Sequence, residues 1–274
     1  MRRIKAFILT LMLCIGAVTP AVAQDWGRIL QAGVKGLQAI TISDSQVRSY
    51  VSQYVTSLDR QNQVAGPGSH YTVRLNKIVS GITSVDGVPL NFKVYITKDV
   101  NAFACADGSV RVYSGLMDLM TDNEVLGVIG HEIGHVAHKD TKNAFKKALE
   151  TSALRDLVGS AGGWAATLSD SQLGAIGEVL LQKGYSRKQE TNADNYAYDY
   201  LKKRGINPLV LAQAFKKLNS ISGGGNNALM QAFSDHPDTN KRIKNIESRA
   251  KKDGFTMADS GKSSKKSSTS KKRK

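Results

Sequence analysis

Apolar residues recur at helical spacing along most of this chain and at strand spacing in one short central region. Val47, Tyr50, Val51, Tyr54, Val55 and Leu58 share one helical face, and Ser43 with Gln46 three residues on reads as a capping box at its start. Residues 24–42 read as a looser helix weakened by Gly33 and Gly36. Gly66-Pro67-Gly68 breaks the chain, and Val73, Leu75, Ile78 and Val79 then predict a helix over 71–79. Here the period changes. Asp86-Gly87 marks a turn and residues 92–97 alternate as a strand does. Two short strands, 101–105 and 110–113, flank Asp107-Gly108, a strong hairpin signal, so a small antiparallel sheet is expected. Val125, Leu126, Val128, Ile129, Ile133 and Val136 follow, an almost continuous apolar run typical of a buried helix, with Thr121 and Glu124 as its capping box. Further helices are expected over 141–158, 169–183, from Ser186 to a stop at Gly205, 208–220 and 238–250. The fold class is α+β, mainly helical, with the sheet directly before the most apolar helix.

The ends of the chain are different in kind. Residues 1–5 are basic, 6–18 are apolar and Ala21-Val22-Ala23 is a small-residue cleavage site, so 1–23 reads as a secretory signal peptide. Cys14 raises a lipoprotein signal as a rival, but bulky Leu13 stands where such signals want a small residue. No later stretch reaches the ~20 apolar residues needed to span a bilayer. After removal of 1–23, Cys105 is the only cysteine, which excludes an internal disulfide; it reads as a packed small residue in a strand rather than a nucleophile, with intermolecular pairing left open. Of the net charge of +15, the first 23 residues carry +3 and residues 251–274 carry +7, leaving +5 for a domain over 24–250. The basic balance is mostly a property of the tail, so no nucleic-acid partner is expected. From Gly261 onward the chain is almost entirely Lys and Ser, too polar to fold. Such a tail is suited to an anionic membrane or cell-wall surface.

The chemistry lies in the most apolar helix, at His131-Glu132-Ile133-Gly134-His135. Residues four apart project from one helical face, so both imidazoles can turn toward one ion. Zinc takes such nitrogens at ~2.0–2.1 Å, and Glu132 beside them can accept a proton from an attacking water. His138 lies two turns from His131, about 10 Å along the axis, and cannot share that ion. A catalytic zinc needs a third protein ligand. The third histidine that some HExxH proteins carry soon after the motif is missing, leaving Glu150, Glu178, Glu190 and Glu247 as downstream candidates. Glu190 is the strongest, because Asp194 follows one turn later and can hold a ligand imidazole by its free N–H. Glu178, with only Gln182 in that position, is the runner-up.

Taken together, 100–104, 112–117, the HExxH stretch, Glu190-Thr191-Asn192-Ala193-Asp194 and His236-Pro237 resemble the HtpX-like and CAAX-prenyl-protease-like family of zinc metallopeptidases, within it the small secreted YggG/LoiP-like members. The resemblance spans roughly residues 90–245. It implies a zincin-type fold with one Zn2+ on His131, His135 and Glu190, Glu132 as the base and Asp194 behind the ligands. It also brings His236 and Arg242 to the zinc site, either to stabilise the oxyanion or, for His236, to fill the open position and keep the enzyme latent. The implied activity is a periplasmic zinc endopeptidase acting on unfolded or misassembled protein. The alternative is a zinc-stabilised chaperone or binding module that seldom cleaves. An edge strand of the sheet is suited to bind an extended peptide by main-chain hydrogen bonds; the alternative is a sheet that only covers the core. The Gly-, Ala- and Ser-rich stretch 142–185 is expected to act as a lid.

Overall fold

The computed structural model describes residues 43–149, 168–181, 184–222, 236 and 239–257. The expected signal peptide, the helix over 24–42, the central part of the expected lid and the Lys/Ser tail lie outside the described residues. The described part is mainly helical with two small sheets.

Helix α1 (Asp44–Gln61) begins at the Ser43–Gln46 capping box, with both reciprocal bonds formed, and buries Val47, Tyr50, Val51 and Val55. Helix α2 (His70–Ile78) follows the Gly-Pro-Gly break. Strands β1 (Ser84–Val85) and β2 (Val88–Pro89) form a two-residue hairpin over Asp86 and Gly87, both at positive φ as a type I′ turn requires. The second sheet comprises β3 (Asn91–Tyr95), β4 (Ala102–Ala104) and β5 (Ser109–Tyr113) in the order β3-β5-β4.

The expected antiparallel sheet is mixed. β4 and β5 form the antiparallel hairpin that Asp107-Gly108 signals, but β3 runs parallel to β5. Burial explains the order. The first four residues of β5 are all buried, so it takes the centre, whereas β3 and β4 leave residues partly exposed. Arg111 on β5, 2 % exposed, is neutralised by Asp59 of α1, which also accepts from Tyr95 and Lys93 of β3. That shared carboxylate holds β5 beside β3. Gly108 turns the hairpin at φ +88°, and a Cβ there would overlap the Pro89 carbonyl oxygen at 1.9 Å, so both conformation and space demand glycine.

A short helix α3 (Ser114–Leu119), which the periodicity did not announce, follows β5 directly. Helix α4 (Asp122–Ala137) starts at the Thr121–Glu124 box and is buried from Glu124 to Val136. It is the hub: β4, α2, α7 (Arg187–Lys203) and α8 (Leu209–Ser222) pack around it, and α9 (Thr239–Lys252) packs on α7 and α8. Helices α5 (Asp140–Leu149) and α6 (Asp170–Leu181) pack with α1.

The α4–α7 contact is close because α4 presents glycines to it. Gly130 and Gly134 face Ala197 and Ala193 in antiparallel register, and Gly127 faces Leu211 of α8 together with Leu201. A Cβ on Gly134 would meet the Ala193 backbone at 3.0 Å, whereas one on Gly130 would meet Ala197 at 3.4 Å. Gly134→Ala should therefore force the helices apart and cost about 1–3 kcal/mol. For Gly130→Ala, the gain of up to about 1 kcal/mol in helix propensity offsets the milder crowding. Urea unfolding of the two variants checks this, and equal losses would contradict the tight contact at Gly134.

Candidate metal centre and active site

Helix α4 supplies His131, Glu132 and His135, and the first turn of α7 supplies Glu190, placed there by the Ser186–Gln189 capping box. Glu190 sits near the positive end of that helix, a favourable place for a carboxylate. The closely packed pair brings these groups together. One potential ligand atom from each of His131, His135, Glu190 and His236 lies within 4.8 Å of the others. The Nε2 atoms of His131 and His135 are 3.2 Å apart, and each is 3.6 Å from a Glu190 oxygen.

The far side of each imidazole is held by a carboxylate. His131 Nδ1 is 2.9 Å from Asp194 Oδ1, and His135 Nδ1 is 3.0 Å from Asp140 Oδ2. An ionised carboxylate only accepts, so both Nδ1 atoms carry the proton and both Nε2 atoms present lone pairs. Burial, with the Arg242 guanidinium beside it, brings His131 down to about 3, so its ring is neutral at neutral pH. Burial opposes ionisation of Glu190, yet the His236 hydrogen bond and the nearby Arg242 charge outweigh it and keep the carboxyl below its ordinary value. Two imidazole lone pairs and a carboxylate thus converge in a buried space. Arg242 Nη1 is 2.6 Å from Glu190 Oε2, but that oxygen has no hydrogen bond of acceptable geometry. Converging acceptors with an orphaned carboxylate oxygen are the donor set a divalent cation satisfies.

Arg242 of α9 is 5 % exposed and straps the site from behind. Its Nε and Nη2 donate to the two Asp194 oxygens at 2.9 and 2.7 Å, and its guanidinium lies over Phe215, 4.4 Å from the ring centre. His236 Nδ1 is 2.9 Å from Glu190 Oε1 and 3.3 Å from His131 Nε2, and its Nε2 is 3.8 Å from Glu132 Oε1. Burial works against its protonation, but the Glu190 hydrogen bond and the Glu132 and Glu190 charges raise its pKa overall. Burial also raises the Glu132 carboxyl. A cavity of about 50 Å3, lined in part by Val100, Ala102, Leu116, Val128 and Phe215, adjoins His131 and Glu132.

All seven residues singled out from the sequence meet in this one place. Of the rival glutamates, Glu247 pairs with Lys216 on another surface. His138 is exposed at the end of α4, away from the cluster. Sequence reasoning missed Asp140, Tyr185, whose ring stacks on His135 at 3.8 Å and 13°, and Phe215, edge-on to His131. An acid in the first turn of a helix is ordinary dipole chemistry, so Asp140 carried no separate signal.

The model of peptidase family M48 matches residues 70–250. The chain belongs to peptidase family M48. Among its relatives is metalloprotease LoiP of Escherichia coli, 42 % identical over 254 residues, covering 92 % of this chain and 99 % of that one. Metalloprotease YcaL of the same organism is 41 % identical over 226 residues, covering 82 % and 88 %. A protease HtpX homolog of Desulfatibacillum aliphaticivorans is 29 % identical over 235 residues, covering 71 % and 73 %. The M48 match spans every site residue named above. Among the described residues no helix is long and apolar enough to cross a membrane.

Proposed function

We propose that this M48 protein is a zinc-dependent endopeptidase of the cell envelope, cleaving unfolded or misassembled protein. The observation that carries the reading is the convergence of His131 Nε2, His135 Nε2 and Glu190 in one buried space. These three would hold one Zn2+. Bound there, zinc supplies Lewis acidity, polarising the scissile carbonyl and bringing the pKa of a water toward about 7. Glu132 takes the water's proton as its oxygen bonds to the carbonyl carbon, then passes the proton to the departing amine. Arg242, donating to both Asp194 oxygens and ion-paired with Glu190, steadies the ligands, which leaves His236 as the group nearer the reacting carbonyl oxygen. β4 is an edge strand against α4 and offers an extended peptide main-chain partners beside the cavity. The envelope address rests on the signal pattern of residues 1–23.

The test pairs metal analysis with casein digestion. Purified protein should hold about one zinc per chain, lose casein cleavage on chelation and regain it with added zinc. Its N-terminus should begin at Gln24. Undiminished digestion by metal-free protein would sink the reading, and protein retained in the cytoplasm with residue 1 intact would sink the address. One contact favours a second reading. His236 already touches Glu190 and His131, so it could fill the fourth ligand position and leave a latent enzyme or a chaperone-like module. His236→Ala raising casein cleavage points to latency; suppressed aggregation with no cleavage by either form points to the module.

A further inference from the structure

His131 and His135 are steadied in different ways, and the difference exposes two further working residues. The carboxylate on His131 is Asp194, which shares α7 with Glu190, so helix geometry ties that imidazole to the third ligand. The carboxylate on His135 is Asp140, which follows the end of α4 and lies on a different helix from Glu190. Lys139, at φ +62°, makes the sharp reversal that brings Asp140 back under His135. A non-glycine residue in that conformation carries strain, which only surrounding contacts maintain.

Gln189 supplies the missing link. Its Nε2 donates to Asp140 Oδ1 at 2.9 Å, while its Oε1 accepts from Ser186 N and Ser186 Oγ at the start of α7. One amide thus closes the capping box and grips the aspartate behind His135. Glu190 is the next residue. His135 is 0 % and Asp140 5 % exposed, so water does not compete for the bond between them, and the Gln189–Asp140 bond is half-buried.

We propose that Asp140 and Gln189 are positioning residues for the metal centre. Asp140 fixes the His135 tautomer and ring direction, and Gln189 locks that aspartate to the helix carrying Glu190. This rests on the ligand reading above. Partners behind a ligand histidine typically set metal affinity by about 10–100-fold.

Zinc affinity, measured by competition with a chromophoric chelator, is the readout, with the visible spectrum of the Co2+-loaded protein as a second. Asp140→Ala should weaken zinc binding by about 10–100-fold and broaden the Co2+ bands. Gln189→Glu keeps the capping acceptor, loses the donor to Asp140, and should weaken binding by a smaller factor. Because Gln189 acts through Asp140, the double variant should bind no more weakly than Asp140→Ala alone. Asp140→Asn, which keeps the size and an accepting oxygen, should recover part of the loss and serves if the alanine variant does not fold. Zinc affinity unchanged in folded Asp140 variants, with only metal-free stability lowered, would reduce Asp140 to a helix-start residue and overturn the proposal. Additive losses in the double variant would overturn the link through Gln189. Wild-type protein that binds no zinc would instead defeat the ligand reading itself.

Discussion

Glu132→Gln is expected to keep its zinc and lose peptide cleavage, with turnover of casein falling by about 10²–10⁴-fold. Glu132 is 7 % exposed and lies beside the ligand face, outside the converging ligand set. The amide fills the same space without altering the two imidazoles or Glu190, so metal content should not change. What it removes is the ability to take a proton, which burial makes more favourable by raising the carboxyl pKa. The loss should fall on kcat rather than KM, because the carboxylate acts in the reacting state and not in peptide docking. Zinc analysis alongside initial rates is the check. Full activity with full zinc would remove Glu132 from the mechanism.

The largest loss of stability is expected from Arg242→Leu. Arg242 is the cation between two buried carboxylates, donating twice to Asp194 and lying 2.6 Å from Glu190. Asp194, opposed by burial but held by Arg242 and His131, sits well below the usual carboxylate range and is charged at neutral pH. Deleting the guanidinium strands both negative charges out of water, a change that costs about 3–5 kcal/mol. Arg242→Lys should recover little, because an ammonium is a point charge and cannot bridge two carboxylates in the plane of a fork. Zinc brings positive charge to Glu190, so the deficit should be smaller in metal-loaded protein. Urea unfolding of both variants, with and without zinc, measures all three effects. A metal-free deficit below about 1 kcal/mol would mean that the carboxylates find another partner.

Where structure depends on a few neighbouring residues, the sequence was enough. Ser43 with Gln46, Thr121 with Glu124 and Ser186 with Gln189 each announce a helix start, and each box is formed, because capping is a contact over three residues. Asp86-Gly87 and Asp107-Gly108 turn the chain where expected, since positive φ is a property of the residue itself. The four-residue spacing of His131 and His135 likewise sets them on one face before any tertiary contact exists. Pairing across the chain could not be read this way. The alternation of β3 says that it is a strand but not which neighbour it takes; the burial of β5 and the charge of Arg111 decided that. The Asp140 bond to His135 spans five residues, but the grip of Gln189 on Asp140 and the stacking of Tyr185 on His135 came only when the glycines of α4 let α7 approach, since which buried surfaces meet depends on the packing of the whole core and no short window of residues contains that information.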